Sequence, residues 1–282
     1  MTATIATVHR RRRIRIIQPI VAIITAVLLL GVPFWVILMT ASKNVTEARQ
    51  PSLSPPSTWE LLPNLGTALS QGNMFAALGG SLLLLVPSVV GVLLFGAMAS
   101  WVLARRAGRG VAIAYSIGIA GIIVPPAVVT VVLLLRELGL DGTAIGLIGV
   151  YMGMYMSTVI FFVTGFIRTI PVELEEAARV DGAGPIKVFF RIILPLLSPV
   201  LSTAAILVTL FIWNDVFYAL FVVSGRLDTL PLNLYQVASS GLYLQNWHLI
   251  FAYIILMSLP LLITFTVMQR RIISGITSGA VK

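Results

Sequence analysis

Among the residues that could do chemistry in this chain, Asp215 is set apart by its surroundings. It lies in a long apolar stretch and follows Trp213 and Asn214 directly. A carboxylate within a predicted membrane span costs about 2.5–3.5 kcal/mol on insertion scales, so it should face the interior of a helix bundle or a hydrated cavity. Two interpretations remain open. Asn214 and Asp215 line or gate a solute path, or they hold helices together through an interhelical hydrogen bond.

Catalysis would need a cluster of titratable groups, and the sequence places no evident base, nucleophile or metal ligand beside Asp215. The absence of cysteine excludes thiolate metal sites and cysteine nucleophiles. His9 and His248 lie too far apart in the predicted topology to share a metal ion. A phosphate-binding loop of the form G-x-x-x-x-G-K-[ST] is also missing from the sequence. We therefore predict no catalytic residue, no metal site and no cofactor held by this chain.

A second group of polar residues is the charged segment 168–195, whose pattern predicts two short helices. Pro171 suits a first helical turn, three glutamates follow near the positive end of the helix dipole, and Gly182 can end the helix. Pro185 can start the second helix, and Pro195 should stop it. The segment is longer than a simple connection between spans requires, which indicates a further role.

The first short helix carries Ala177, Val180 and Asp181 on one shallow face, because these positions are three and four residues apart. A face of small side chains with a polar edge can enter a groove on another protein. It can equally belong to an amphipathic helix that lies at the membrane interface. Periodicity alone leaves both interpretations open.

The elements that position these groups are membrane spans. The chain of 282 residues is 58% hydrophobic and 10% charged, with a mean hydropathy of +1.01, and a stretch of about 20 apolar residues crosses a bilayer. We predict an all-α membrane protein with six transmembrane helices in one domain, 16–268, between a basic amino-terminal segment, 1–15, and a carboxy-terminal tail, 269–282. The predicted spans are about 16–39, 78–103, 111–135, 143–167, 198–223 and 247–268, with the loop 168–195 between the fourth and fifth.

The positive charge of the chain has an explanation in membrane topology. The net charge is +9 and the sequence pI about 10.5. Fifteen of the 19 Lys and Arg residues fall on one side of the predicted bundle, together with both termini. Because basic residues concentrate in cytoplasmic loops, we predict a multi-pass protein with both termini in the cytoplasm. No basic face remains for nucleic acid.

Prolines and aromatic residues within or beside the spans permit two interpretations each. Pro125, Pro126 and Pro260 should bend their helices. The bends either lie next to a cavity and serve alternating access, or they only adjust helix packing and have no role in transport. Four aromatic residues either stack on a sugar or anchor the chain at the membrane interface. They are Trp213, Tyr218, Tyr243 and Trp247.

The string from Glu176 to Ala183, EAARVDGA, followed by Ile192-Ile193-Leu194-Pro195, resembles the EAA loop of ABC importer permeases. The Asp-Gly-Ala ending, residues 133–141, the Trp-Asn-Asp triplet at 213–215 and the last residues, GITSGAVK, resemble the carbohydrate-uptake, maltose-permease-like branch of that family. One departure is Gly80 before Ser81, where the family commonly has Asn. The resemblance implies the type I ABC importer permease fold.

In that family the EAA loop forms a coupling helix that docks on a cytoplasmic ATPase. The resemblance therefore implies docking residues Glu176, Ala177, Ala178, Asp181, Gly182 and Ala183, and weaker tail contacts at Thr277, Ser278 and Gly279. It also implies a second homologous permease, a dimer of ATP-binding subunits that hold ATP and Mg, an extracytoplasmic solute-binding protein and a sugar-like solute. The expected location is the bacterial inner membrane.

The hypothesis is an ATP-driven importer subunit, and the alternative is a secondary transporter driven by an ion gradient through Asp215. Secondary transporters usually need several intramembrane ionisable groups or ion sites at broken helices, whereas this sequence offers one acid. The EAA-like loop separates the two, because an ion-driven transporter has no need of an ATPase docking segment.

Overall fold

The computed structural model of the chain describes residues 18–124, 127–223, 225–239 and 246–280, with side chains as far as Thr266. All regular structure within these ranges is helical, which confirms the predicted all-α class. The helices are α1 Gln18–Ala41, α2 Leu61–Gln71, α3 Met74–Arg105, α4 Arg109–Ala120, α5 Val128–Glu137, α6 Ala144–Ile167, α7 Glu173–Val180, α8 Pro185–Leu196, α9 Ser198–Trp213, α10 Phe217–Val222, α11 Leu230–Ser239 and α12 Trp247–Ala280. The segment 1–15 lies outside the described residues.

Within the described ranges four helices are long and apolar enough to cross a membrane, namely α1, α3, α6 and the part of α12 up to Thr266. The pair α8 and α9, bent by 76°, becomes a fifth if it counts as one span. The predicted third span is divided into α4 and α5, and the predicted fifth span into α9 and α10. The number of six spans therefore stays a prediction. Pro125 and Pro126, expected to break the third span, lie outside the described residues.

The chain forms two compact units, of which the larger comprises 73–235 and the part of the chain from 258 on. The axis of this unit is the packing of α3 against α6 through small residues. A Cβ added at Gly96 would lie 2.6 Å from Val159 Cγ1, and one added at Gly91 would lie 2.9 Å from Met152 Cε. Such glycines let two helices approach closely, which is the usual basis of helix association in membranes.

The smaller unit comprises the described residues up to Gly72 together with those of 236–257. Lys43 is buried there, and its Nζ donates to Ser52 Oγ at 2.5 Å and Ser54 Oγ at 3.0 Å. Asn64 Nδ2 donates to the carbonyls of Ala41 and Lys43, each at 2.9 Å. The sequence predicts an irregular loop over 43–71, whereas the end of this segment is helix α2, which tolerates Pro63 in its first turn.

Two helices contain a π turn, at Val27–Gly31 in α1 and at Phe189–Ile193 in α8. In α8 the buried side chains are Val188, Phe189 and Ile193, and Leu197 follows just beyond the helix end. The wider turn sets Val188 and Ile193 five residues apart on the same buried side. The second short helix begins at Pro185, as its pattern predicts.

Candidate functional site

The loop between α6 and α9 contains the first short helix that the sequence predicts, α7. Three glutamates lie in its first turn, where the helix dipole favours negative charge. Its end is a Schellman turn, in which the backbone N–H of Gly182 donates to Arg179 O at 3.0 Å and that of Ala183 to Ala178 O at 2.9 Å. Gly182 has φ +80°, a left-handed conformation that glycine adopts without strain.

The candidate docking residues lie together on the outside of this loop. Glu176, Ala177, Asp181 and Gly182 are exposed, and Ala178 and Ala183 are half-buried. Val180 and Ile186 flank them with 88% and 76% of their surface exposed. This is a small, shallow, partly apolar surface with an acidic edge, and its alanines and glycine are small enough to admit close approach of another backbone.

The opposite side of α7 carries a buried acid, Glu175, for which the sequence pattern predicts only an interaction with the helix dipole. Glu175 is 1% exposed. Its Oε1 lies 2.6 Å from Arg105 Nε, and its Oε2 accepts from Trp101 Nε1 at 3.0 Å and lies 3.6 Å from Arg179 Nη2. A buried carboxylate is tolerated only when it is paired and hydrogen-bonded, and Glu175 meets both conditions.

Arg105 and Trp101 lie one turn apart at the end of α3 and extend the contact to the rest of the loop. Arg105 Nη2 donates to Ile170 O at 2.9 Å, just before α7. The Trp101 ring contacts Phe189 in α8, with ring centroids 5.7 Å apart. The last turn of α3 therefore holds both short helices of the loop and the chain that enters it.

Asp215 lies in the break between α9 and α10, and its carboxylate caps the N-terminus of α10. Oδ2 accepts from Tyr151 Oη at 2.8 Å and from the backbone N–H of Ala219 at 3.0 Å, and Oδ1 accepts from the backbone N–H of Tyr218 at 3.3 Å. These are the donors that an acid at a helix N-terminus satisfies. Asn214 is exposed, and its Nδ2 donates to Leu210 O at 2.8 Å within its own helix.

A cavity of about 580 Å³ lies beside these helices, with Tyr218 in its wall. Tyr155 stacks between Tyr151 and Phe211, at centroid distances of 6.3 and 5.5 Å. The other wall residues come from the break between α4 and α5, from α5, from α6 and from α9. The complete lining is Gly121, Ile122, Val124, Ala127, Val131, Gly153, Met154, Tyr155, Thr158, Phe211 and Tyr218. Asp215 does not line this cavity, but its Oδ1 accepts a hydrogen bond from the backbone N–H of Tyr218, which does.

The remaining candidates are dispersed. Trp213 is buried at 4% exposure, and Trp247 contacts Phe251 in the smaller unit. The side chains of Thr277, Ser278 and Gly279 and the whole of Tyr243 lie outside the described residues. Among the described residues no cluster of three His, Cys, Asp or Glu side chains could hold a metal ion.

The Gly80–Ser81 pair, where the sequence departs from the family pattern, packs near the start of α3 against the segment that leads into α11. Ser81 is buried, and its Oγ accepts from the backbone N–H of Leu230 at 2.8 Å. Gly80 lies against the carbonyl of Asp228, and an added Cβ would overlap that oxygen. The absence of a side chain at 80 therefore permits a contact with the segment before α11.

Comparison with known proteins shows the family of the chain. Residues 92–278 match the family described as binding-protein-dependent transport system inner membrane component. The chain is 32% identical over 281 residues to the melibiose/raffinose/stachyose import permease protein MelC of Bacillus subtilis, covering 97% of this chain and 98% of MelC. It is 36% identical over 246 residues to the trehalose transport system permease protein SugB of Mycobacterium tuberculosis, covering 82% and 89% of the two chains.

The fold is also similar to that of a chain in the crystal structure of a bacterial ABC transporter involved in the import of the acidic polysaccharide alginate. The TM-score is 0.73 with 20% sequence identity, over 92% of this chain and 96% of that chain.

Proposed function

Because the chain belongs to the inner membrane components of binding-protein-dependent transport systems, the permeases of ABC importers, we propose that the solute it moves into the cell is a carbohydrate. Members of this family are transport subunits rather than enzymes. Support for the solute class comes from the two relatives, which are named for oligosaccharide and trehalose transport. The ion-driven alternative has no support among the comparisons.

The observation that carries the coupling part of the proposal is the arrangement of α7, which is fixed on one side and exposed on the other. The exposed side, from Glu176 to Ala183, docks on a separate ATPase dimer that binds ATP and Mg. Small side chains allow close approach, and the turn at Gly182 leads the chain away from the ATPase surface. A second homologous permease and an extracytoplasmic solute-binding protein complete the complex. The tail residues Thr277, Ser278 and Gly279 add contacts with the ATPase.

In this proposal the docking loop, 168–195, lies in the cytoplasm, and with the six spans predicted from the sequence both termini lie there as well. Binding and hydrolysis of ATP then move α7, and the bundle alternates between an inward-facing and an outward-facing state. The membrane is an inner membrane, as the family description states, and we propose that it is that of a bacterium.

The solute path of this subunit runs past the cavity beside α6, α9 and α10. Its volume lies in the range of small-molecule sites, about 300–1,000 Å³. The stacked rings of Phe211 and Tyr155 both belong to its lining, which is mostly apolar and includes two hydroxyl-bearing residues, Tyr218 and Thr158. Asn214 and Asp215 act as gate residues at this path. Asp215 does so by fixing the start of α10, the helix that contributes Tyr218 to the cavity wall.

The test is reconstitution of the complex purified from native membranes, with uptake of labelled oligosaccharides measured in proteoliposomes that contain ATP. We expect uptake that requires ATP and the binding protein. Phe211→Ala should reduce uptake, whereas Phe162→Ala, an exposed ring elsewhere on the bundle, should not. Glu176→Lys should leave the chain inserted but weaken ATPase binding. Uptake that continues without ATP and follows an imposed ion gradient would contradict the proposal.

A further inference from the structure

We infer that the ion pair between the buried Glu175 and the half-buried Arg105 is the joint through which movement of α7 passes to α3, an inference that rests on the proposed function. Glu175 directly precedes the docking residue Glu176 but faces the other way. In this assignment Glu176 contacts the ATPase, and Glu175 pairs with Arg105 in the membrane bundle. The two glutamates give one short helix two attachments with different partners.

The ion pair is the main attachment of α7 to α3. Among the described residues of α7, Glu175 alone is buried. Leu174, the large apolar residue beside it, keeps 45% of its surface exposed. A helix of eight residues with no buried apolar face has little hydrophobic stabilisation to hold it in place. The position of α7 is therefore set by directional contacts rather than by apolar packing.

Directional contacts suit a joint because they fix orientation as well as distance. The Arg105 guanidinium bonds both Glu175 and the carbonyl of Ile170, so it fixes α7 and the chain that enters it. Trp101 donates to the second carboxylate oxygen while its ring packs on Phe189 of α8. A displacement of α7 or α8 is thus transferred to the same turn of α3.

Helix α3 carries such a displacement to both the cavity and the far end of the bundle. It has 32 residues, and at about 1.5 Å per residue it is roughly 48 Å long. It packs along α6, which supplies Gly153, Met154, Tyr155 and Thr158 to the cavity wall. Near its start, the Oγ of Ser81 holds the first residue of α11. The joint therefore connects the ATPase-facing surface with the proposed solute path.

The experiment compares Glu175→Gln with Glu173→Gln in the complete reconstituted importer. Glu173 is an exposed acid in the same helical turn and serves as the matched control. The readout is the number of ATP molecules hydrolysed per solute imported, with the amount of bound ATPase measured in parallel. For E175Q we expect this ratio to rise by about two- to thirtyfold, the range of coupling changes seen along such networks, with ATPase still bound. For E173Q we expect the wild-type ratio.

Two further variants keep the inference testable if E175Q accumulates poorly. Arg105→Lys keeps the charge but loses the fork that reaches Ile170 O, and it should raise the ratio less than E175Q does. The double variant Glu175→Leu with Arg105→Met removes both charges together, a change that buried pairs often tolerate in folding. If either variant assembles and hydrolyses ATP per solute at the wild-type ratio, the pair is only a packing contact and the inference is wrong.

The outcome also separates this inference from the proposed function. If the wild-type complex shows no ATP-driven uptake, the proposed function fails. If the wild type couples hydrolysis to uptake and either R105K or the double variant assembles and keeps the wild-type ratio, the proposed function stands and only the inference about Glu175 and Arg105 fails.

Discussion

Gly182→Val tests the docking surface most directly, because the free energy that the substitution costs comes from the backbone conformation alone. An added Cβ at Gly182 has no heavy atom within 4 Å, so the new side chain meets open space. The φ of +80° is the obstacle, since a β-branched residue is a conformational outlier there. The left-handed conformation costs an L-residue about 1–2 kcal/mol, and branching at Cβ places valine toward the upper value.

A cost of about 2 kcal/mol changes a local equilibrium roughly thirtyfold. The equilibrium at stake is between the closed turn, with its bonds from Gly182 N–H to Arg179 O and from Ala183 N–H to Ala178 O, and an open end of α7. Opening displaces Asp181 and Ala183 from the docking surface but leaves the apolar helices untouched. We therefore expect normal insertion, a loss of ATP-driven uptake of about tenfold or more, and weaker ATPase binding.

The matched control is Gly184→Val, two residues further in the same loop. Gly184 has φ −69° and ψ 166°, an extended conformation that suits a residue before proline, and it too has open space around an added Cβ. Uptake and ATPase binding by G184V should stay near wild type. Gly182→Asn should lose less than G182V, because asparagine tolerates the left-handed region. Equal impairment of G182V and G184V, or of neither, would refute the reasoning from φ.

Three further predictions concern the bundle and the smaller unit. Tyr151→Phe removes the hydroxyl that donates to Asp215 and should cost about 1.5–3 kcal/mol, seen as a lower thermal midpoint in detergent, with Tyr155→Phe as the control on the same helix. Gly80→Ala should cost about 1–3 kcal/mol in the same assay because its methyl group overlaps the carbonyl of Asp228, whereas Gly79→Ala enters open space and should cost little. Hydrogen bonds from Ser57 lower the pKa of the Glu47 carboxyl from its usual 4.5. Because this pKa is depressed in the folded loop, the stabilisation is present above 4.5 and is lost as pH falls through the lowered value. A spin label on Val45→Cys should gain mobility at acid pH, and it should not do so when Glu47→Gln is also present.

Short-range signals in the sequence predict the loop helices well. Pro171, the three glutamates and Gly182 each act on the residues next to them, and α7 with its Schellman turn follows. Pro185 begins α8 for the same reason. Long apolar stretches predict α3 and α6 because hydropathy over about 20 residues needs no tertiary information.

Contacts between distant residues are what the sequence does not predict. Glu175 and Arg105 are 70 residues apart, and nothing in the pattern around Glu175 distinguishes it from Glu176 beside it. A weak signal exists, since only one of two adjacent residues on a short helix can face its support. The division of the fifth span has a local signal. Asp215 lies two residues before Phe217, and an Asp at that distance can cap the start of a new helix, which interrupts the span.

The π turn in α8 bears on how the length of this loop can change. A π turn contains one residue more than an α-helical turn, and here the extra residue lies between the buried Val188 and Ile193. Deleting one residue at Phe190 would convert the turn to α-helix while keeping the buried side chains on one side. Inserting one residue would rotate α7 and its docking surface by about 100° relative to α9. We therefore expect the loop to tolerate shortening by one residue and to reject lengthening, an asymmetry that an insertion and deletion scan of 186–194 would reveal.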